Sequence, residues 1–298
     1  MRPDRRGFTL IEILVALVIF AVVATVLTRM LILSQRVTTA QTVRATLQSN
    51  LRVGSLVVPN ELRMLNQSSE TDILDISDSS ITYRAMRGYY VLCATITSAT
   101  SISVIKVQPS PYAFDYRAPA ALDSAFIFFE NDSLKISDDL WAPVGISSVA
   151  SGTCTFASVS RAAHILTLSN TGILTTSYAL AGFLKGAPVR TFEITRLSLY
   201  TSGGEKWLGM CTGGSSCTLQ PVLGPLATTN GITITRYNDV GTLVTGNTLA
   251  NRNSLRSLKV RFIGIGEQSI SRGSDNSART TLQDTLTTVV TLRNVKQN

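Results

Sequence analysis

Residues 5–12, Arg-Arg-Gly-Phe-Thr-Leu-Ile-Glu, lead into the uncharged run ILVALVIFAVVATVLT at residues 13–28. As a helix of about 1.5 Å per residue, Phe8 to Thr28 would be about 31 Å long. That length matches the hydrocarbon core of a bilayer, roughly 30 Å. Glu12 is the one carboxylate in this segment. Burying an acid in hydrocarbon costs about 2.5–3.5 kcal/mol or more, so Glu12 is a functional candidate that needs a partner.

The residues before the apolar segment predict its orientation. Arg2, Arg5 and Arg6 should hold the leader in the cytoplasm, so the rest of the chain is exported. A cleaved secretory signal is one alternative, but its apolar core is shorter and ends at a small-residue site, which is not found around Thr28. A plain membrane anchor is the other alternative, and it gives Glu12 no role.

The motif Gly7-Phe8-Thr9-Leu10-Ile11-Glu12 resembles the class III signal of type IV pilins and of type II secretion pseudopilins. The resemblance implies that prepilin peptidase cleaves after Gly7 and that the new N-terminus, Phe8, is N-methylated. It also implies that Glu12 meets the N-terminal amine of a neighbouring subunit during assembly. Further implied partners are other minor and major pilins or pseudopilins, bound through the N-terminal helix, and an inner-membrane assembly platform.

Composition fits an exported, β-rich protein, because the chain is 44% hydrophobic and only 15% charged. The net charge is +8. Residues 1–7 carry three Arg and one Asp, so their removal takes two charges from +8 and leaves +6. The remaining basic residues form no run of five or six, which favours a solvated basic surface over a nucleic-acid site. Binding to DNA stays open as the weaker interpretation.

The cysteines predict disulfide bonds, because an even number in an exported domain favours pairing. Cys211 and Cys217 flank a short Gly/Ser loop that a bridge could close, which would leave Cys93 with Cys154. The sequence alone permits three pairings. The one histidine, His164, lies in a strand-like run with no acid beside it, so neither a catalytic base nor a zinc site is predicted. We expect no cofactor, no metal and no enzymatic activity.

Apolar residues recur every three or four positions from Leu33 to Leu65, which predicts that the helix continues with one packed face. Pro59 lacks an N–H and should kink or break this helix, starting a short second segment. The expected organisation is a cleaved leader at 1–7, a transmembrane helix at 8–28, an amphipathic helix at 29–66 and a β-rich head at 67–298.

The fold class predicted for the whole chain is α+β, a long N-terminal helix followed by a β-rich and mostly antiparallel head. A hairpin is predicted at residues 81–96, turning near Gly88, and Ser269–Arg279 should be a polar loop. Two β-rich halves, around 73–130 and 190–295, are suggested without a clear linker. Further strands are predicted at Ile102–Val107, Phe126–Phe129, His164–Leu168, Phe192–Tyr200, Ile232–Tyr237, Leu258–Ile265 and Leu286–Leu292.

Shorter segments resemble one subgroup of the family. Residues 47–52, 61–63, 81–84 and the closing strands around 258–262 and 286–294 are similar to large minor pilins called PilW and to type II secretion pseudopilins called GspJ. Many major pilins carry a proline where this chain has Arg29, which favours a minor subunit.

The sequence therefore predicts a structural subunit, a minor pilin or pseudopilin of a type IV pilus or type II secretion filament, at the tip or in assembly initiation. The alternative is a minor pilin that binds DNA for a competence pilus. The expected location is a single-pass inner-membrane protein with an extracytoplasmic head, which then enters a filament at the cell surface or in the periplasm.

Overall fold

The computed structural model describes residues 9–65, 72–98, 104–109, 117–131, 134–135, 139–156, 158–213, 217–271 and 279–292. Its elements are one long helix followed by twelve strands and two short helices, which confirms the predicted fold class. The helices are α1 (Leu10–Arg63), α2 (Gly172–Ser177) and α3 (Leu249–Ser254). The strands are β1 (Ile73–Ile76), β2 (Ser80–Leu92), β3 (Val104–Pro109), β4 (Ser124–Phe129), β5 (Leu140–Phe156), β6 (Val159–Ser169), β7 (Pro188–Ser202), β8 (Glu205–Thr212), β9 (Gln220–Leu226), β10 (Ile232–Tyr237), β11 (Ser257–Ser271) and β12 (Arg279–Thr291).

Helix α1 runs through Pro59 without interruption, so the predicted break is wrong. A proline in a helix interior costs about 3 kcal/mol. Here Val58, Pro59 and Leu62 are all buried against the head, and burying a side chain of this kind contributes about 1.5–3 kcal/mol. The packing of the last turns therefore offsets the hydrogen bond that Pro59 cannot make.

The face of α1 that packs against the head lies in the C-terminal half of the helix. The buried residues mostly follow the predicted spacing of three or four, but they begin at Val43, because Leu33 and Val37 are exposed. They are Val43, Leu47, Leu51, Gly54, Val58, Pro59 and Leu62. A glycine in the helix and a glycine in strand β11 allow the backbones of helix and sheet to approach closely, because a larger residue would clash at either position. A Cβ on Gly54 would lie 2.4 Å from the Leu223 side chain, and one on Gly264 would lie 2.6 Å from Leu47.

The head begins with an open antiparallel sheet against which this face packs. Its strands follow the order β1-β2-β7-β8-β9-β11, and β11 also pairs with β10 and with β12. One large core lies between this sheet and α1, and it includes Leu51, Leu62, Tyr83, Leu197 and Phe262. The helix contacts β9, β11 and β12 most closely, so the open sheet holds the C-terminal half of α1 in place.

Strands β2 and β7 extend past this sheet and close a second structure, a six-stranded antiparallel barrel. The pairings β2–β3, β3–β6, β6–β5, β5–β4, β4–β7 and β7–β2 form a complete ring. A separate apolar core fills it, contributed by Tyr90, Val107, Ile127, Val144 and Leu166 among others. Within the described residues this ring pairs both edges of every barrel strand over at least part of its length, which removes most of the open edge that a flat sheet would have.

Two further predictions about the strands are corrected by these pairings. Residues 80–92 form one strand with a register irregularity at Gly88, not a hairpin, because β2 pairs with β7 along its whole length. Ser269–Ser271 and Arg279 belong to β11 and β12, so only residues 272–278 remain of the predicted loop, and they lie outside the described residues. The two suggested β-rich halves share one continuous sheet.

Candidate assembly site

The N-terminal half of α1 is the most exposed apolar surface of the described chain. Every large side chain from Leu10 to Leu33 is exposed, including Phe20 at 70% and Met30 at 68%. Among the described residues this is the one helix that is long and apolar enough to cross a membrane. A surface of this size must lie in lipid or against other helices.

Glu12 lies in the first turn of this helix and is exposed. Thr9 precedes the helix in an extended conformation, and its carbonyl accepts the N–H of Glu12 at 3.1 Å. The first turn is the positive end of the helix dipole, which favours a carboxylate there. Ile13, Ala16 and Phe20 lie beside Glu12 on the helix, so its neighbours among the described residues are apolar.

Gly7 and Phe8 lie outside the described residues. Cleavage at Gly7, methylation of Phe8 and the alignment of Phe8 with Glu12 therefore stay predictions. The described geometry leaves room for them, because Glu12 is solvent-exposed and its neighbours on the helix are apolar.

A network of charged side chains connects the end of α1 to the barrel. Tyr83 Oη donates to Glu61 Oε2 at 3.3 Å, and Arg87 lies 3.7 Å from the same carboxylate. Arg87 also forms a close ion pair with Glu193, which Arg117 contacts at 3.3 Å. These residues come from the helix, β2, β7 and the loop before β4. Sequence reasoning missed the network, because no local pattern links residues this far apart in the chain.

Tyr83 is buried at the centre of this network, and its surroundings change the pKa of its hydroxyl. Burial raises the pKa of its hydroxyl well above the ordinary value, and the nearby Glu61 carboxylate raises it further through its charge and through their hydrogen bond. Arg87 acts in the opposite direction. The hydroxyl therefore stays protonated and can donate to Glu61 throughout the physiological range.

A second buried ion pair holds the start of the head. Arg190 on β7 contacts both carboxylate oxygens of Asp72, at 3.2 and 3.1 Å, and Asp72 is 1% exposed. The Arg190 guanidinium also stacks over Phe126 and Trp141. Several of the basic residues thus serve the fold, which reduces the positive charge available to a nucleic acid.

The cysteines form two bonds, Cys93–Cys154 and Cys211–Cys217. The first joins the end of β2 to β5, in a small cluster with Ala163 that is separate from the barrel core.

His164 packs edge-on against Tyr90, with ring centroids 5.7 Å apart. The described residues contain no group of three or more His, Cys, Asp or Glu that could hold a metal ion.

Residues 2–28 match the family model described as the prokaryotic N-terminal methylation motif. The match covers the leader and the exposed apolar part of α1. The comparisons with curated proteins and with solved structures give no match.

Proposed function

We propose that this chain, which carries the class III signal of a type IV pilin-like or pseudopilin subunit, acts as a minor subunit at the filament tip or in assembly initiation. Prepilin peptidase would remove residues 1–7, and residues 8–28 would remain in the inner membrane until assembly. Residues 29–66 would connect this anchor to an extracytoplasmic head at 67–298.

The barrel is the observation that carries this proposal. Glu61, near the end of α1, contacts Tyr83 and Arg87 halfway along β2, and the same strand then continues into the barrel. The barrel thus lies next to the C-terminal end of α1, and in an anchored subunit it would be on the side away from the membrane. In a filament shaft each subunit repeats at close spacing, so a bulky distal module fits better at the end, where no subunit follows.

Glu12 would set the axial register of the subunit. Cleavage after Gly7 creates an ammonium at Phe8 with a reference pKa of about 7.7–8.0, and methylation keeps it basic. An incoming subunit displaced by about 6 Å, the rise over four helical residues, brings this cation level with the Glu12 of its neighbour. An unpaired carboxylate in lipid is costly, so the pair favours this register over others.

The tip position is tested by gold-labelled antibodies raised against the purified protein and applied to sheared filaments. Label at filament ends supports the proposal. Label repeated along the shaft contradicts the tip position, and cells that lack the gene yet assemble filaments in normal number contradict the initiation role.

The register role is tested separately with Glu12→Val. The variant should still insert and be cleaved, because neither step needs the carboxylate, but it should recover fewer partner subunits on co-purification. Ile13→Val is the matched control, a small apolar change on the adjacent residue. Equal recovery from both variants would show that Glu12 does not set the register.

A further inference from the structure

Strand β12 forms an open edge of the sheet. It pairs with β11 from Ser257↔Thr291 to Ser271↔Arg279, and among the described residues no other strand pairs with it. The edge runs beside α1, which also contacts β12. An edge of thirteen residues is long compared with an ordinary strand of five or six.

The backbone directions show which groups this edge presents. Ile263 accepts from Ala227 and donates to Gly231, so its backbone groups point away from β12. In an antiparallel pair the opposite residue, Thr285, then also points away from its partner strand. Consistent with this, the Thr285 N–H is accepted by the neighbouring Asp284 carboxylate at 2.8 Å.

Backbone directions alternate along a strand, so the odd-numbered residues of β12 direct their N–H and C=O groups to the open edge. From Thr281 to Thr291 the side chains of these odd-numbered residues are exposed on the outer face, with Val289 at 59%. Natural sheets protect open edges with proline, charged side chains or a bulge. Strand β12 contains no proline and no lysine, its one charge after Arg279 is Asp284, and its register irregularity falls on β11, between Ile265 and Ser269.

A groove lies on the inner side of the same edge, between α1 and β12. Its volume is about 340 Å³, and it is lined by Gln48, Leu51, Arg52, Ser55, Asp284, Thr285 and Leu286. Leu282 and Leu286 pack against the main core but are only partly buried. One more strand beside β12 would place every second side chain in this groove and cover both leucines.

We propose that β12 accepts a β-strand from a neighbouring filament subunit of a different kind, whose alternate side chains face the groove and are mixed in character, apolar opposite Leu286 and polar opposite Arg52 and Asp284. The occupant follows from the position of the edge, because β12 lies beside α1 above its membrane-spanning half, where a subunit anchored by its own helix is brought alongside. An antiparallel β12–β12 pair between two copies would point their helices in opposite directions, which one shared membrane forbids. The inference rests on the proposed function, since that function supplies the neighbour.

Thr287→Pro in the full-length protein tests the edge. Thr287 is exposed, and like Thr285 it is an odd-numbered residue whose backbone N–H points to the open edge. Proline at this position therefore removes one N–H from the edge and leaves the hydrogen bonds between β11 and β12 intact. Thr287→Val keeps the N–H and is the matched control. Proline should reduce recovery of the partner subunit about tenfold, the order expected for losing a hydrogen bond and the strand alignment it supports, while valine leaves recovery unchanged. Equal recovery from two folded variants would overturn the proposal.

A photo-crosslinking residue supplies a second measurement that does not depend on the proline variant folding. Placed at Val289 it should capture a different filament subunit, whereas at Val159, 55% exposed on the barrel strand β6, it should capture none. Capture of a second copy, or no capture between chains at Val289, would overturn the strand acceptor. Failure of the wild-type protein to recover any filament subunit would instead refute the proposed function.

Discussion

Replacing Leu62 by alanine should destabilise the head strongly. Leu62 lies one residue before the end of α1, is 0% exposed and belongs to the core between the helix and the open sheet. Leucine-to-alanine changes at such sites cost about 2–5 kcal/mol, because the transfer free energy of the lost methyl groups is joined by the cost of a cavity. For a head of this size, a loss of about 3 kcal/mol corresponds to a melting temperature lowered by roughly 6–12 °C.

Leu56→Ala is the matched control, since Leu56 is on the same helix but 66% exposed. Alanine is at least as good a helix former as leucine, so this variant should lie within about 0.5 kcal/mol of the wild type. Both variants are compared in detergent by chemical denaturation, followed by the fluorescence of Trp141 and Trp207 in the head. Equal loss of stability in the two variants, or less than about 1 kcal/mol for Leu62→Ala, would refute the assignment of the packed helix face.

Three further outcomes are expected. Substituting Gly7 by a bulky residue should block cleavage, whereas the wild-type protein purified from membranes should show Phe8 as its first residue by mass spectrometry; a mature N-terminus beyond residue 20 would contradict this. Peptide mapping without reduction should find all cysteines oxidised, and removing the Cys93–Cys154 bond should cost about 2–5 kcal/mol; free thiols in the exported protein would argue against it. Because the folded-state pKa of Tyr83 is raised, its contribution to stability is complete below about pH 10, the unfolded value, and is lost as pH rises through the folded value. Alkaline denaturation should therefore be less steep for Tyr83→Phe, and an unchanged profile would contradict the raised pKa.

The helix was the part of the fold most open to prediction from sequence. Its apolar run and its later spacing of three and four residues both depend on neighbours within one or two turns, and Leu47, Leu51, Val58 and Leu62 are buried as that spacing predicts. The break at Pro59 was predicted wrongly, because local rules count the missing hydrogen bond but not the burial of the surrounding turn.

The strands were predicted less completely, since their pairing joins residues far apart in the chain. The His164–Leu168, Phe192–Tyr200 and Ile232–Tyr237 segments lie in strands as predicted. No separate signal marked β5, β8 or β9. The supposed hairpin at 81–96 looked like two strands because Gly88 interrupts the pattern, but pairing with β7 keeps β2 in one piece.

The sequence by itself determined the signal, the long apolar helix with Glu12 in its first turn, and the β-rich character of the head. Each depends on composition and short-range spacing. A carboxylate among apolar residues and a glycine at the leader boundary can be recognised without knowing which distant residues they contact. Only the tertiary structure decided that β2 and β7 are shared by an open sheet and a closed barrel, that Glu61 joins the helix to both, and that β12 keeps an open edge beside α1. These features arise when distant strands meet and bury a common core, and the free energy of that contact is absent from any local window of the chain.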